Sequence, residues 1–188
     1  MSHRQSDLEQ IYAESDDPWN FAHSSYEQEK FRATRAALEE RYFNAALELG
    51  CGNGQLARHI VPLCASYTGL DAVQRPLEAA RRVVPEGQFI QGFLPTDLPE
   101  GNFDLIVLSE VLYFLSADAI RTLAGLIAKR WPAALLICVS YLGPTRNTLE
   151  GAEALNIFIA AMGSSYEFHT CSETRDYRID RGSAREKS

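Results

Sequence analysis

Short apolar runs alternate with helical patterns along most of the chain. Runs that are apolar throughout predict strands buried on both faces, whereas apolar residues at helical spacing predict amphipathic helices. The predicted strands are residues 45–49, 66–70, 88–91, 103–108 and 133–139, with edge strands at 166–171 and 177–179. The predicted helices are residues 24–41, 55–63, 76–83, 117–130 and 150–162.

The alternation of strands and helices predicts an α/β fold. Successive strand–helix–strand units are right-handed, so they build a Rossmann-like, mostly parallel central sheet flanked by helices. A chain of 188 residues is long enough to bury one substantial core. We therefore expect one domain over residues 1–180, followed by a polar, disordered tail at 181–188.

A glycine-rich turn follows the first predicted strand. Gly50, Gly52 and Gly54 alternate in this turn, and Glu48 stands two places before the first glycine. Glycine adopts positive φ and lets a ligand lie against the backbone. A strand, a glycine turn and a helix N-terminus together form a cradle for a nucleotide-like ligand. Asp71 ends the second predicted strand, where a carboxylate can accept both hydroxyls of a ribose.

The spacing of the glycines discriminates between cofactors. The dinucleotide fingerprint is G-x-G-x-x-G, but this turn reads G-x-G-x-G and lacks the lysine of a P-loop. With Glu48 upstream, it resembles the first motif of class I S-adenosylmethionine-dependent methyltransferases. In that family the acid helps to hold the amino-acid end of the cofactor, so the resemblance implies S-adenosyl-L-methionine. A glycine turn without a ligand is the alternative, which Asp71 at the expected distance disfavours.

The remaining cofactor contacts are expected at the carboxyl ends of the other strands, near the topological switch point. The turn after the third predicted strand is called the third corner here. In class I methyltransferases an acid usually follows the glycine of this corner and contacts the adenine. Phe93 stands in that place here, so backbone groups and apolar packing are expected to recognise the adenine. The expected cofactor-binding residues are Glu48, Gly50, Cys51, Gly52, Gly54, Asp71, Gly92, Phe93 and Ser109.

Three residues are candidates for the catalytic step. Glu110 and Tyr113 follow the central strand directly and are expected to face the transferred methyl group or its acceptor. Alternatively, Glu110 caps the following turn and Tyr113 packs on the sheet edge. His23 lies in a loop and is a further candidate to accept a proton, although a lone loop histidine is usually solvated.

The N-terminal segment narrows the resemblance to one family. The segments DDPWNF (16–21), SSYEQEKF (24–31), ELGCG (48–52), FDLIVLSEVLY (103–113) and GAE (151–153) carry it. Together they resemble the NodS (nodulation protein S) family over about residues 12–179. The resemblance implies N-methylation of a deacetylated amino sugar at the end of a chitooligosaccharide.

Aromatic residues cluster in the same segment. Trp19, Phe21 and Tyr26 can act as a hydrophobic staple that fixes the entry to the first helix. They can also form a sugar-binding platform within an N-terminal helical lid over about residues 1–41. Both roles can hold at once.

The implied reaction is an in-line methyl displacement by a neutral, aligned nitrogen. Positioning alone contributes roughly 7–11 kcal/mol to such a step. Glu110 or a neutral His23 is a candidate to take the amine's proton. The alternatives are a methyltransferase for another small amine or a carboxylate, a non-catalytic cofactor-binding protein, and a dinucleotide-dependent oxidoreductase.

Charge and cysteine content limit the other partners. The net charge of -7 gives no overall attraction for nucleic acid or an anionic membrane, and suits a small-molecule or oligosaccharide amine. No run is long enough to span a membrane, and the N-terminal residues lack the apolar core of a signal peptide, which predicts the cytoplasm. The four cysteines are scattered, which predicts reduced thiols and no metal site. The oligomeric state stays open.

Overall fold

The structure is a computed structural model that describes residues 17, 20, 21 and 23–186. Within these residues one seven-stranded sheet has the order β3-β2-β1-β4-β5-β7-β6. The strands are β1 (Phe43–Leu49), β2 (Cys64–Asp71), β3 (Gln88–Gln91), β4 (Leu105–Ser109), β5 (Leu135–Tyr141), β6 (Tyr166–Glu173) and β7 (Tyr177–Ala184). The helices are α1 (Ser25–Ala36), α2 (Ala57–Ile60), α3 (Gln74–Val83), α4 (Ala117–Arg130) and α5 (Gly151–Met162).

The sheet has its topological switch point between β1 and β4. β1 pairs in parallel with β2 on one side and with β4 on the other, and the parallel run continues to β3 and β5. Connections leave in opposite directions from this point, so the carboxyl ends of β1 and β4 open a crevice. The prediction of a mostly parallel sheet flanked by helices is confirmed.

Two apolar layers cover the two faces of the sheet. In β4, Leu105 and Val107 pack into the layer of α1, α2 and α3, whereas Ile106 and Leu108 pack into the layer of α4 and α5. All four side chains are buried. This double burial explains why the strand is apolar at consecutive positions instead of alternating.

Two helices are shorter than their patterns predict. α1 begins after Ser24, whose Oγ accepts a hydrogen bond from Glu27 N at 3.3 Å, but it ends at Ala36. Glu39 and Glu40 then adopt positive φ values of 52° and 53°, which end helical geometry. α2 is a single turn that continues into a 3-10 turn at Val61–Leu63, because Pro62 has no N–H to donate to an α-helix.

The prediction of a disordered tail from residue 181 is wrong for residues 181–184. β7 runs to Ala184 and pairs antiparallel with β5 on one side and β6 on the other. An interior strand satisfies its backbone groups whatever its side chains are, so a polar sequence can still be a strand. Asp180 shows the same point, because it is fully buried yet holds Arg178 through two hydrogen bonds of 2.7 Å.

Candidate active site

The glycine turn connects β1 to α2 at the mouth of the crevice. Gly50, Gly52 and Gly54 have φ values of 81°, 49° and 79°. A Cβ on Gly50 would lie 2.7 Å from the carbonyl oxygen of Ser109, and one on Gly54 would lie 3.0 Å from Ala80. The alternating glycines therefore allow both a left-handed backbone and close packing against β4 and α3.

Asp71 joins this turn to the start of α3. Its Oδ2 accepts a hydrogen bond from Gly52 N at 2.9 Å, and its Oδ1 accepts one from Val73 N at 3.0 Å. Burial raises the pKa of the Asp71 carboxyl, while these backbone N–H groups oppose that change. The carboxylate is thus held in a fixed orientation at the end of β2, where the sequence analysis expected it.

Glu48 lies beneath the turn and is 1% exposed. One of its oxygens accepts a hydrogen bond of 2.5 Å from the hydroxyl of Tyr67 on β2. Burial raises the pKa of Glu48 to about 8, against the Tyr67 hydrogen bond and with a further increase from the charge of Asp71. Near neutral pH this carboxyl is therefore close to its titration point.

Cys51 points away from the surface of the turn. The residue is buried, and its Sγ fills the space that a Cβ on Gly69 of β2 would need, at 2.8 Å from that position. Burial raises the pKa of the thiol well above its usual value. Only the backbone of Cys51 is therefore placed for contact with a ligand.

The third corner contains an acid that the sequence analysis missed. Phe93 is exposed by 40%, and its N–H donates to the Asp97 carboxylate at 2.8 Å. Gly92 N donates to the carbonyl of Asp71 at 3.0 Å, which links this corner to the end of β2. Asp97 was not predicted because it comes four residues after Phe93, whereas the expected acid directly follows Gly92.

Glu110 follows β4 with a φ of 52°. Its Oε1 lies 2.7 Å from Nζ of Lys30. Its Oε2 accepts hydrogen bonds from the Tyr113 hydroxyl at 2.8 Å and from Tyr141 N at 2.9 Å. Burial, followed by the charge of Glu110, raises the pKa of Tyr113. Glu110 thereby ties together α1, the turn after β4 and the end of β5.

Lys30 extends this contact to a second carboxylate. Its Nζ lies 3.0 Å from Oε2 of Glu27, one turn earlier on α1, and 5.1 Å from the ring centre of Tyr26. Lys30 is 4% exposed and Glu27 is 8% exposed. We call Glu27, Lys30, Glu110 and Tyr113 the carboxylate–lysine cluster.

The protonation of the cluster follows from its geometry. Burial lowers the pKa of Lys30, but the charges of Glu110 and Glu27 outweigh it, so the net pKa is raised. Burial raises the pKa of Glu27, and Lys30 opposes this change. Sequence reasoning missed both residues because charged positions on a helix usually face solvent. The Tyr-Glu-x-x-Lys segment was the signal that could have identified them.

The N-terminal segment contacts the glycine turn directly. Oδ1 of Asp17 accepts hydrogen bonds from Phe21 N at 2.8 Å and from Nδ2 of Asn53 at 3.1 Å. The Phe21 ring packs against Phe31 of α1, with ring centres 6.2 Å apart, as a hydrophobic staple would. Trp19 lies outside the described residues. Asn53 was not predicted as a site residue, although it lies inside the glycine motif.

The predicted site residues fall into two groups around the crevice. Tyr26 is half-buried beside the carboxylate–lysine cluster, with its ring 6.0 Å from that of Tyr177. His23 is exposed in the turn before α1. The glycine turn, Asp71 and the third corner form the other group. The individual roles of these residues stay predictions.

Neither a metal site nor a membrane-spanning helix is found in the described part of the chain. Residues 17, 20, 21 and 23–186 contain no group of three or more His, Cys, Asp or Glu side chains placed to hold a metal ion. Among the helices in those same ranges, none is long and apolar enough to cross a bilayer.

Comparison with known families places this geometry in context. Residues 3–130 match the family model described as Nodulation protein S (NodS). The chain belongs to the NodS family. The resemblance noted in the sequence is therefore confirmed.

Curated NodS proteins match part of the chain. The chain is 33% identical to nodulation protein S of Sinorhizobium fredii over 114 residues, which is 57% of this chain and 52% of that protein. It is 32% identical to nodulation protein S of Bradyrhizobium diazoefficiens over 126 residues, 60% of this chain and 58% of that protein. The chain thus spans about half the length of the curated relatives it matches.

A solved structure of the family extends the match to the whole fold. The crystal structure of N-methyltransferase NodS from Bradyrhizobium japonicum WM9 in complex with S-adenosyl-L-homocysteine superposes with a TM-score of 0.80. The match covers 98% of this chain and 100% of that chain at 22% sequence identity. At this identity the likeness establishes the fold.

Proposed function

We propose that this protein is an S-adenosylmethionine-dependent N-methyltransferase that acts on the free amine of a deacetylated amino sugar or chitooligosaccharide. One observation carries the proposal: the glycine turn is bonded to Asp71 at the switch point of a NodS-family fold. That arrangement supports a nucleoside-type cofactor with its reactive end beside Glu110.

The residues of the crevice fit S-adenosylmethionine. The Asp71 carboxylate lies at the end of β2, where it can accept the ribose hydroxyls, and the three glycines of the turn from Gly50 to Gly54 carry no Cβ where the amino-acid end would lie. Phe93 is exposed although large apolar side chains are mostly buried, so its ring offers an apolar surface to the adenine. When bound, this cofactor supplies a methyl group that its sulfonium charge already activates.

The charges near Glu110 favour an amine acceptor over a carboxylate. Within the described part of the chain Glu27 and Glu110 share one lysine, so the carboxylate–lysine cluster has a surplus of negative charge there. An anionic acceptor would be repelled there, whereas an ammonium group would be attracted. Glu110 itself holds Lys30, Tyr113 and the end of β5. It thereby fixes the geometry of the part of the crevice where the acceptor would bind, which we call the acceptor side.

Calorimetry tests the cofactor part of this proposal. We expect S-adenosylhomocysteine to bind and NAD not to bind. The opposite result would make the chain a dinucleotide-binding protein.

Methyl transfer tests the acceptor part. With a labelled methyl donor, we expect label in a glucosamine tetramer and none in the fully N-acetylated tetramer, whose nitrogens carry no available lone pair. A protein that binds S-adenosylhomocysteine but labels no amine acceptor would be non-catalytic or specific for another acceptor class.

A further inference from the structure

We infer that Glu27 binds the ammonium group of the acceptor and takes a proton from it. This inference rests on the proposed function, and it gives the proton-accepting role to a residue of α1 that no motif marks as catalytic. Three features of Glu27 support this role: an incompletely bonded oxygen, an unbalanced charge and a position beside Glu110.

The incompletely bonded oxygen is Oε2 of Glu27. The residue is 8% exposed, and no group in the described ranges donates a well-aligned hydrogen bond to this oxygen, although Lys30 Nζ lies 3.0 Å away. Leaving a buried polar atom without a donor costs about 1–3 kcal/mol, so an atom of this kind calls for an explanation, and a ligand that donates to it is one. An N–H of a bound ammonium group is a donor of the required kind.

The unbalanced charge belongs to the cluster as a whole. Glu27 and Glu110 are two carboxylates, and within residues 17, 20, 21 and 23–186 Lys30 is the one counter-charge that they share. The raised pKa of Lys30 keeps it cationic, so the cluster carries one negative charge in excess. Buried charges are retained where something neutralises them. One further cation, such as the ammonium of an amino sugar, completes the balance.

Glu27 is better placed than Glu110 to receive that cation. The two oxygens of Glu110 already have Lys30, the Tyr113 hydroxyl and Tyr141 N as partners. Among the residues that the structure describes, Lys30 is the side-chain partner of the Glu27 carboxylate, through an Oε1 hydrogen bond of 3.3 Å and the Oε2 ion pair. The ammonium group of Lys30 contacts both carboxylates, so it alone separates Glu27 from Glu110, the residue that follows β4.

The proton balance of the step is simple. The ammonium R–NH3+ gives one proton to Oε2 of Glu27, which becomes a neutral carboxyl group, and the nitrogen regains its lone pair. That pair forms the new N–C bond while the electrons of the broken C–S bond stay on sulfur. Glu27 then releases its proton to water.

The groups that face Glu27 set its titration. Lys30 and Tyr26 face it from α1, Glu110 and Tyr113 from the turn after β4, and Asp17 from the N-terminal segment. Burial and the neighbouring carboxylates raise the pKa of Glu27, and Lys30 opposes this change. A carboxylate whose pKa is raised is a stronger base in its ionised form than an ordinary exposed one.

The test compares Glu27→Gln with Glu29→Gln. Both variants remove one carboxylate from α1, but Glu29 is exposed and lies outside the cluster. Affinity for S-adenosylhomocysteine is measured first, then calorimetric binding of a glucosamine tetramer to protein saturated with S-adenosylhomocysteine. Methyl transfer to the tetramer is followed from pH 6 to pH 10, and thermal melting reports folding.

We expect Glu27→Gln to bind S-adenosylhomocysteine within twofold of the wild type and the tetramer at least tenfold more weakly. Its kcat at pH 7 should fall about 100-fold, the usual effect of losing a general base. The kcat of the wild type should level off above the pKa of Glu27, whereas that of Glu27→Gln should keep rising with hydroxide. Glu29→Gln should match the wild type throughout.

Two results would overturn the inference. The first is a Glu27→Gln variant with wild-type tetramer affinity and an unchanged pH profile. The second is a parallel loss of cofactor affinity and melting temperature, which would make Glu27 structural. If Glu27→Gln fails to fold, Glu27→Asp decides instead, because it keeps the charge and should retain tetramer binding. Failure of the acceptor proposal itself shows in the wild type, which would bind S-adenosylhomocysteine but not the tetramer.

Discussion

The two sides of the crevice differ in the groups that line them. On the cofactor side, consecutive residues of one turn present backbone groups, and one carboxylate, Asp71, orients them. On the acceptor side, Glu27, Lys30 and Glu110 bring side chains together from α1 and from the turn after β4. A local backbone site leaves a compact signature in the sequence. A site assembled from distant side chains appears only in the fold.

The largest effect is expected from Gly52→Val, which tests the backbone site on the cofactor side. The backbone at Gly52 has a φ of 49°, which a β-branched residue rarely adopts, and glycine is the residue that lets a ligand lie directly against the backbone. We expect S-adenosylhomocysteine binding to fall below detection in calorimetry while the circular dichroism spectrum stays native-like. Gly125→Ala is the control, since a Cβ on that helical glycine meets no atom within 4 Å. A Gly52→Val protein that still binds normally would reduce the turn to a structural feature.

The next largest effect is expected on the acceptor side, from Lys30→Met. The variant leaves the buried Glu27 and the half-buried Glu110 without their shared counter-charge. Breaking a buried ion pair typically costs about 3–5 kcal/mol, so urea unfolding should show a loss of that order. Adding Glu110→Gln should recover part of it. A loss below about 1 kcal/mol would mean that the cluster is hydrated and its charges are weakly coupled.

The buried acid of the cofactor side should make stability depend on pH. Burial gives Glu48 a pKa of about 8 in the folded protein, against an ordinary value of 4.5, so the folded protein binds more protons between these values. Its contribution is fully present below pH 4.5 and is lost as the pH rises toward 8, by at most about 4 kcal/mol between pH 5 and pH 8. Unfolding free energies of Glu48→Gln and the wild type, measured at both pH values, should show the wild type losing more. If the unfolding free energies of both proteins changed equally with pH, Glu48 would be in contact with water in the folded state.

Asp71→Asn tests the carboxylate that orients the cofactor side. Loss of a charged hydrogen-bond acceptor should weaken S-adenosylhomocysteine binding by about 1.5–3 kcal/mol, with little change in folding. Asp104→Asn is the matched control, because Asp104 also accepts backbone N–H groups, from Asn44 and Ala45, but lies at the opposite end of the sheet. Equal losses of affinity in both variants would point to a general loosening of the sheet.

The smallest effect is expected from Asp17→Ala, which tests whether the N-terminal segment belongs to the cofactor side or to the acceptor side. Asp17→Ala removes the hydrogen bonds to Phe21 N and to Asn53. If the segment completes the cofactor side, the Kd for S-adenosylhomocysteine should rise roughly fivefold, or about 1 kcal/mol. Hydrogen exchange at the Phe21 amide should speed up in parallel. An unchanged Kd together with a raised KM for the amine would assign the segment to the acceptor side.

The predictability of the molecule follows the same division. Continuous apolar runs marked β1, β4 and β5, because strands buried on both faces need apolar residues at every position. The glycine turn and Asp71 were predicted from spacing alone. Glu27 and Lys30 were not, because their burial depends on Glu110, which lies 80 residues after Lys30. Asp97 and residues 181–184 were missed for a related reason, since each depends on what the fold places beside it.

The position of β7 has a consequence for synthesis of the chain. β5 is apolar and buried along nearly its whole length, and it lies between β4 and β7. During translation β5 leaves the ribosome before β6 and β7 do, so its second edge stays open until residues 177–184 have emerged. An open apolar edge is a template for pairing with other chains. We therefore expect nascent chains stalled after β5 to depend on chaperones, and those stalled well after β7 to fold without them.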